Sequence, residues 1–562
     1  QGTEGSSANR GLDASLMQLV IHKFEDTVLE DYDDIYEDKR KGVFRDHRGR
    51  VVDVEQLDFG FMLTDRSGRK RALPRDAIKD FMEIQERLED EGIGSRFEYA
   101  QQPLRVDTSP VAIGFNDEQS ILGAKVDPQP IAPVTRPPTP IVDQSFLAGT
   151  PLEEDPKRLK PLVAPKFKGF NQEVSGMIDW ERAKALGYDP EKFAFPEYDD
   201  ARAGTETSFK NHVSRVLKPA FCKAKAPSAE VLSAARRFML ESLSKANYQA
   251  IEEPLSDDNI DAIINSTLIE GSKSPGRYFM SNGMLSNEAV LEKFDNKAMA
   301  EMVRELMSCC KPEVINVFIK LEPTKRRKLL DEMARLISGM DLRETILAQA
   351  FFANFNSAMA ASYKATGVLV GWSPLKPGDG RWFHERHNRK KTRLLGSDCQ
   401  TFDWTYAAWA IREVSEIIVR MARRPRTMSE ESFQAWRVDA RNVIMRQFTM
   451  PFALPSGRVF NRTCPAIMSS GSVLTLAFNS IMMKYLDTCA KLEMEAGYTL
   501  TDLLAKFTSS FGGDDGLQNV PLDFAVEEYR DKLNGYGLTV PELNTADSIN
   551  GCEFFSWLFG VD

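Results

Sequence analysis

Two adjacent carboxylates, Asp514 and Asp515, stand in the glycine-rich segment Phe511-Gly512-Gly513-Asp514-Asp515-Gly516 between short apolar runs. Neighbouring acids in a turn repel each other, and a metal ion or a strong cation relieves that cost. Gly-Asp-Asp alone says little, because surface hairpins commonly contain Asp-Gly turns. Two upstream segments give it weight. In Gly396-Ser397-Asp398-Cys399-Gln400-Thr401-Phe402-Asp403-Trp404, preceded by Leu394-Leu395, Asp398 falls at a strand end. Asp403 falls at the opening of a helix through Ala407, Ile411 and Val414, where it also reads as an ordinary N-cap. The second segment, Ser469-Ser470-Gly471-Ser472 and onward to Ser480, is a serine–glycine loop feeding a helix. Thr475 and Asn479 are four apart and share a helical face. Small polar groups there suit a sugar–phosphate substrate; helix capping by Ser470 or Ser472 is the plainer account.

An acid at a strand end at 398 and another in a tight turn at 514 can hold two divalent cations about 4 Å apart, as phosphoryl transfer to a 3′-hydroxyl requires. Oxygen donors with few His or Cys nearby select Mg2+ or Mn2+ over zinc.

The elements that must position these residues are a few short strands among helices. Strand candidates occur at 393–397, 447–453 and 507–511. Helical periodicity runs through 228–247, 286–308, 326–357, 405–420 and 473–484, and the alternation predicts an α+β core. Nearer the N-terminus, Arg45-Asp46-His47-Arg48-Gly49-Arg50 and Thr64-Asp65-Arg66-Ser67-Gly68-Arg69 read as two hairpin turns of a small β module, with a helix expected at 78–91. Ten prolines between 128 and 165 make the following stretch stiff and extended, either a linker or a strap over the main body. The expected division is a β/α module at 1–100, a Pro-rich linker or strap at 101–175, and the catalytic body beyond.

At 562 residues the chain exceeds one ordinary core. Its 42% hydrophobic and 27% charged residues are those of a globular protein. No apolar run approaches the ~20 residues that span a bilayer. Seven cysteines without Cys-x-x-Cys spacing and five histidines argue against a zinc site or a disulfide framework. The formal charge is −10, yet basic residues gather at 320–328, 386–393 and 420–426, and local charge decides phosphate binding.

These segments together resemble viral RNA-dependent RNA polymerases of the right-hand kind, with motifs in that family's order. Asp398-x4-Asp403 resembles palm motif A, Ser470-Gly471-x3-Thr475-x3-Asn479 motif B, and Gly513-Asp514-Asp515 motif C. The resemblance implies Asp398 and Asp514 as principal metal ligands, with Asp515 in a lesser role. It makes Asp403, Ser470 and Asn479 a network for the ribose 2′-hydroxyl, supported by Gly471 and Thr475. Ile319 to Lys325, then Arg335-Leu336-Ile337, resembles motif F, implying that Lys320, Lys325 and Arg335 shield the triphosphate. Arg326, Arg327 and Lys328 read as solvent-facing. Ser272 to Gly276 loosely resembles motif G, with Ser274 at the template backbone. Tyr529 to Thr539 is similar to motif D, but Asn534 stands where many relatives carry the lysine that protonates pyrophosphate, leaving Lys532 as the candidate acid. Glu553-Phe554-Phe555-Ser556-Trp557 resembles motif E, with Phe555 and Trp557 gripping the primer end; an aromatic core strand is the plainer account.

The resemblance spans roughly 180–562 and implies fingers at 176–392, with part of 415–460, and a palm at 393–562. Only five residues follow Trp557, so the thumb is expected to be short, missing or supplied by another chain. The implied function is RNA-templated RNA synthesis for viral genome replication and transcription, using two Mg2+ or Mn2+ ions. Template and product RNA and ribonucleoside triphosphates are the partners, with a second viral subunit or other replication proteins. The expected setting is the host cytoplasm, in a replication complex or the virion interior. The motifs resemble positive-strand viruses, with a picornavirus-like aromatic grip, and some double-stranded-RNA viruses share the pattern. The rival readings are a reverse transcriptase, which places a bulky gate where Asp403 and Asn479 offer hydrogen bonds, and an inactive RNA-binding scaffold.

Overall fold

The computed structural model describes residues 145–162, 201–308, 313–320, 324–541, 543–555 and 557–559, the backbone of five strands between 36 and 74, and residues 193, 194 and 196. Residues 1–111 form one unit and 112–562 another. In the first, Tyr36–Asp38, Val43–Arg45, Val51–Leu57, Gly60–Thr64 and Lys70–Pro74 pair antiparallel in chain order. These strands flank 46–50 and 65–69, the segments read as turns. Those segments lie outside the described residues, as does the helix expected at 78–91.

The second unit is a mixed α+β body built on two sheets. One has four antiparallel strands in the order Thr508–Gly512, Asp515–Pro521, Thr392–Ser397, Leu543–Ala546. Beneath it runs the helix Thr475–Leu492, which packs against the Thr508–Gly512 strand and the helices Ala229–Ser242, Ala408–Arg420 and Val526–Gly535. Ala408–Arg420 shows why it is a helix: Ala410, Ile411, Val414, Ile417 and Ile418 recur at helical spacing and are all buried. The 25-residue helix Leu342–Thr366 is closed at both ends. Asp341 accepts from the Arg343 N–H at its start, and Gly367 takes a left-handed φ of 69° at its end.

The Thr475–Leu492 helix also buries Lys484, Asp487 and Lys491. Lys491 Nζ donates to Asp487 Oδ2 at 2.8 Å and to Gln518 Oε1 at 2.6 Å, while Tyr529 OH donates to Asp487 Oδ1 at 2.7 Å. Gln518 closes the ring by donating to Tyr529 OH at 3.0 Å. A buried charge pair is tolerable when its remaining sites are satisfied in this way, and the network ties helix to sheet.

The second sheet runs Leu336–Gly339, Ile315–Ile319, Phe452–Ala453, Val459–Arg462, Leu152–Asp155. Its outer strand comes from the Pro-rich segment and pairs Leu152 with Arg462 through Asp155 with Val459. Pro151 and Pro156 bracket the strand, where a missing N–H costs no ladder bond. Beyond it, Leu159 N donates to Gly457 O at 2.8 Å and Leu162 N to Pro455 O at 2.9 Å. Arg458 holds Glu154 with two bonds of 2.8 and 2.7 Å, and Arg277 reaches Lys160 O at 2.6 Å. Residues 152–162 are thus a strap bonded to the body.

Several element boundaries differ from the sequence reading. The stretch 326–357 divides into a short helix, Arg326–Leu330, the strand Leu336–Gly339, and the start of the long helix. Residues 326–335 are rich in good helix formers, yet Leu336 to Gly339 pair with Ile319 to Asn316, and sheet pairing overrides the local preference. Residues 447–449 end the helix Glu430–Thr449, so the strand expected at 447–453 shrinks to Phe452–Ala453. Asp403 lies in the one-turn 3-10 helix Phe402–Trp404, and the following α-helix opens only at Ala408, so Asp403 does not cap it. No helix among the described residues is long and apolar enough to cross a membrane.

Candidate active site

The four-stranded sheet brings the acids together by register. Thr392–Ser397 pairs Ser397 with Gly516, so Asp398 emerges beside the hairpin that carries Asp514 and Asp515. That hairpin pairs Gly512 with Asp515, leaving the two-residue loop Gly513-Asp514. Gly513 takes φ +61°, the left-handed conformation that favours glycine. Its N–H donates to Ser480 Oγ at 2.8 Å, and Ser480 Oγ in turn donates to Leu476 O at 2.7 Å. The central helix therefore fixes the turn at its tip.

Asp515 is held from the other side. The Phe555 N–H donates to Asp515 Oδ2 at 3.1 Å, and the Phe555 ring lies against Gly512, where a Cβ would come within 1.9 Å of it. Phe555, itself at φ +53°, stacks on Trp372 with ring centroids 6.0 Å apart.

The electrostatics follow from this crowding. Asp515 is pushed up to about 7, first by desolvation and then by the charges of Asp514 and Asp398. Asp514 is raised by desolvation and by Asp398, with Arg335 and Lys328 opposing. Asp403 is pushed up to about 6 by desolvation, against its hydrogen bond from Asn479 and the charge of Arg335. Between these elements Cys399 is fully buried, and burial with the three neighbouring carboxylates drives its thiol up.

Asp403 and Asn479, 76 residues apart, meet directly: Asn479 Nδ2 donates to Asp403 Oδ1 at 2.6 Å. The buried Tyr406 donates its hydroxyl proton to Asn479 Oδ1. Ser470 does not join them through its side chain; its Oγ accepts from the Ser338 N–H at 3.1 Å. Gly471 follows because the backbone is tight there: a Cβ would stand 2.2 Å from Ser338 O. Thr475 Oγ1 donates to Ser469 O and Ser472 O, each at 2.8 Å, and so closes the loop on its own helix.

The other residues singled out from sequence lie around this centre. Lys320 follows the strand Ile315–Ile319, and its N–H bonds Arg335 O at 2.8 Å. Arg335 is exposed, and its charge acts on both Asp403 and Asp514. Lys325 is exposed in the short strand Thr324–Lys325; residues 321–323 lie outside the described ones. Lys328, read as solvent-facing, is exposed, yet its charge acts on Asp514 and on the buried His212. Ser274 turns inward, donating to Met280 Sδ at 3.2 Å. Lys532 is half-buried on the helix Val526–Gly535, and Asn534 Oδ1 accepts from Val540 N at 2.9 Å. Trp557 pairs its backbone with Phe554; its side chain lies outside the described residues.

Sequence reasoning missed Tyr406, Ser480 and the Phe555 amide. Each acts through a partner distant in the chain, and only the left-over polar atoms of a buried face hint at them. The Phe555 ring, read from the sequence as a primer grip, lies against Gly512 at the base of the turn that carries Asp514.

Among the described residues no three His, Cys, Asp or Glu side chains form a group able to hold an ion by themselves. Mg2+ does not require one, because it takes one or two carboxylates and completes its shell with water and substrate phosphates. Carboxylates so close that the charge of Asp398 raises Asp514, and both raise Asp515, are a donor set that fits such a cation.

Comparison with known proteins agrees with this arrangement. Residues 222–559, more than half of the chain, match the family described as viral RNA-dependent RNA polymerase. The chain is similar to "Protein P1-P2" of Potato leafroll virus, 25% identical over 207 residues, covering 33% of this chain and 18% of that protein. It is also 25% identical over 252 residues to "Protein P1-P2" of Turnip yellows virus, covering 42% of this chain and 21% of the relative. With "Replicase polyprotein P2AB" of Southern cowpea mosaic virus it shares 25% over 182 residues, covering 32% and 18%. The matched region spans about a fifth of the length of these curated relatives. From the family match, the sheet register and the paired acids together, the chain belongs to the viral RNA-dependent RNA polymerases, a family of nucleotidyltransferases.

Proposed function

We propose that this chain extends the 3′ end of an RNA strand with ribonucleotides selected by an RNA template, releasing pyrophosphate. The observation that carries the reading is the register Ser397 opposite Gly516, which sets Asp398 beside the Gly513-Asp514 turn and leaves the Asp403–Asn479 pair next to it. Two Mg2+ or Mn2+ ions held by Asp398 and Asp514, with Asp515 in a lesser role, would supply Lewis acidity to the attacking hydroxyl and the leaving pyrophosphate. Asp403 and Asn479 offer an acceptor and a donor to the ribose 2′-hydroxyl, and the Ser470 loop flanks them. Arg335, Lys328, Lys320 and Lys325 counter the triphosphate charge. Lys532 is the candidate proton donor to pyrophosphate, and Ser274, Phe555 and Trp557 are candidates for holding RNA strands.

In the same reading the body divides as a right hand, with fingers at 176–392 plus part of 415–460 and a palm at 393–562. The 1–100 module and the 101–175 segment precede it. Likeness to proteins named as replicases supports a role in viral genome replication, in a complex of the host cytoplasm or inside the virion.

The test is Asp514→Asn. Primer extension on an RNA template with Mg2+ or Mn2+ is expected to fall to background, while circular dichroism and the melting temperature stay within a few degrees of the parent. Normal extension by the purified variant would sink the reading.

A further inference from the structure

The Asn479 side chain has two ends, and the structure ties both. Its amide nitrogen donates to Asp403 Oδ1 at 2.6 Å, and its amide oxygen accepts from the Tyr406 hydroxyl. Tyr406 cannot easily turn away. It is buried, lies edge-on to Phe402 at 4.8 Å between centroids, and stands two residues before the Ala408–Arg420 helix. Burial and the nearby Asp403 charge keep its hydroxyl protonated, and therefore a donor.

From this arrangement we propose that Tyr406 is a positioning residue for sugar selection: its hydroxyl holds the Asn479 amide in the one orientation that presents an N–H to Asp403 and to the ribose. The inference rests on the ribose-recognition reading above. An amide turned by 180° would set the Asn479 oxygen against the Asp403 carboxylate, two acceptors facing each other with no proton between them. The same side chain would then present the wrong group to a 2′-hydroxyl. Asp403 alone discourages that flip, and Tyr406 removes the remaining freedom. The hydroxyl feels the charge of Asp514, but its hydrogen bond goes to Asn479, so its loss should act on the choice of sugar more than on nucleotidyl transfer.

The experiment is single-nucleotide incorporation by the full chain on a primed RNA template, comparing a ribonucleoside triphosphate with its 2′-deoxy counterpart. Tyr406→Phe retains the ring and removes only the donor. The ratio of kcat/KM for ribo over deoxy substrate is expected to fall about tenfold, the effect of one buried hydrogen bond, with the ribonucleotide KM carrying most of the change. An unchanged ratio, or an equal loss on both substrates together with a lowered melting temperature, overturns the proposal. Asp403→Ala, measured in parallel, separates Tyr406 from the ribose reading beneath it. If Asp403→Ala abolishes the preference and Tyr406→Phe leaves it intact, the Tyr406 proposal fails and the ribose reading stands. If Asp403→Ala leaves the preference intact, the ribose reading fails and takes the proposal with it.

Discussion

His387 is buried beneath the catalytic sheet with both ring nitrogens engaged, Nδ1 with Asn519 Oδ1 at 2.9 Å and Nε2 with Ser510 Oγ at 2.8 Å. Asn519 and Ser510 lie on the two strands of the acid-bearing hairpin, so one imidazole braces the base of the turn that presents Asp514. Desolvation, then the charge of Arg386, lowers its pKa to about 3. An unfolded histidine takes its proton near 6.5, so between about pH 6.5 and 3 the unfolded chain binds more protons than the folded one. The contribution is therefore fully present above pH 6.5 and lost as the pH falls through that window, with a slope of up to about 1.4 kcal/mol per pH unit. His387→Gln is expected to be less stable at pH 7 but to lose less of its remaining stability between pH 7 and 5. Urea midpoints at those two values measure the difference, and parallel losses in parent and variant would contradict it. At this scale much of the site is legible in the sequence. Asp398, Asp403, Asn479 and Asp514 carry their own spacing signals. Tyr406, Ser480 and His387 do not, because what they do depends on which strand or helix folds over them.

Among the elements, the strap at 152–162 is the one whose bonding the sequence leaves open. Prolines argue for an extended chain and cannot say whether it floats or binds. The answer lies in Arg458, whose side chain and that of Glu154 are 6% and 9% exposed and meet at 2.7 Å, with Glu206 at 3.5 Å. Removing one partner of such a buried pair strands the other charge, at a cost of about 3–5 kcal/mol. Arg458→Ala is expected to release the strap. Hydrogen exchange of the Glu153 to Asp155 amides should rise well above the parent, while Leu394 and Leu395 in the catalytic sheet keep their protection. Equal protection of the strap in both proteins would show that the backbone ladder suffices without the clamp. The strand Leu336–Gly339 escapes a sequence reading for a related reason: its partner, Ile315–Ile319, decides its state, and local composition points the other way.

Over the whole molecule, the formal charge of −10 would discourage any polyanion if it were spread evenly. Arg335 and Lys328 instead concentrate positive charge where Asp403 and Asp514 stand. A different basic run, Arg389 to Lys391, is exposed at the opposite end of the Thr392–Ser397 strand from Asp398. Use of the incoming ribonucleoside triphosphate should therefore depend on these two side chains despite the net charge. Replacing Lys328 and Arg335 with alanine is expected to lower kcat/KM for the nucleotide by at least about tenfold, because the triphosphate charge loses two of its counter-charges. The Lys390→Ala, Lys391→Ala pair is expected to leave that value nearly unchanged. Primer extension across a nucleotide series checks both, and the reverse ranking would relocate the triphosphate path.

The strap has a consequence in time as well as in space. Glu154 and Arg458 are 304 residues apart. At a ribosome's pace of roughly 5–20 residues per second, the Leu152–Asp155 segment leaves the exit tunnel some tens of seconds before its partner strand has been made. Asp514 and its hairpin arrive later still, and the Leu543–Ala546 edge strand after them. The nascent polymerase thus carries an unpaired strand edge through hundreds of residues of its own synthesis, and its acids are assembled into one centre only once the hairpin has emerged. A ribosome that has not yet passed Asp514 therefore holds Asp398 without the carboxylates that the fold sets beside it.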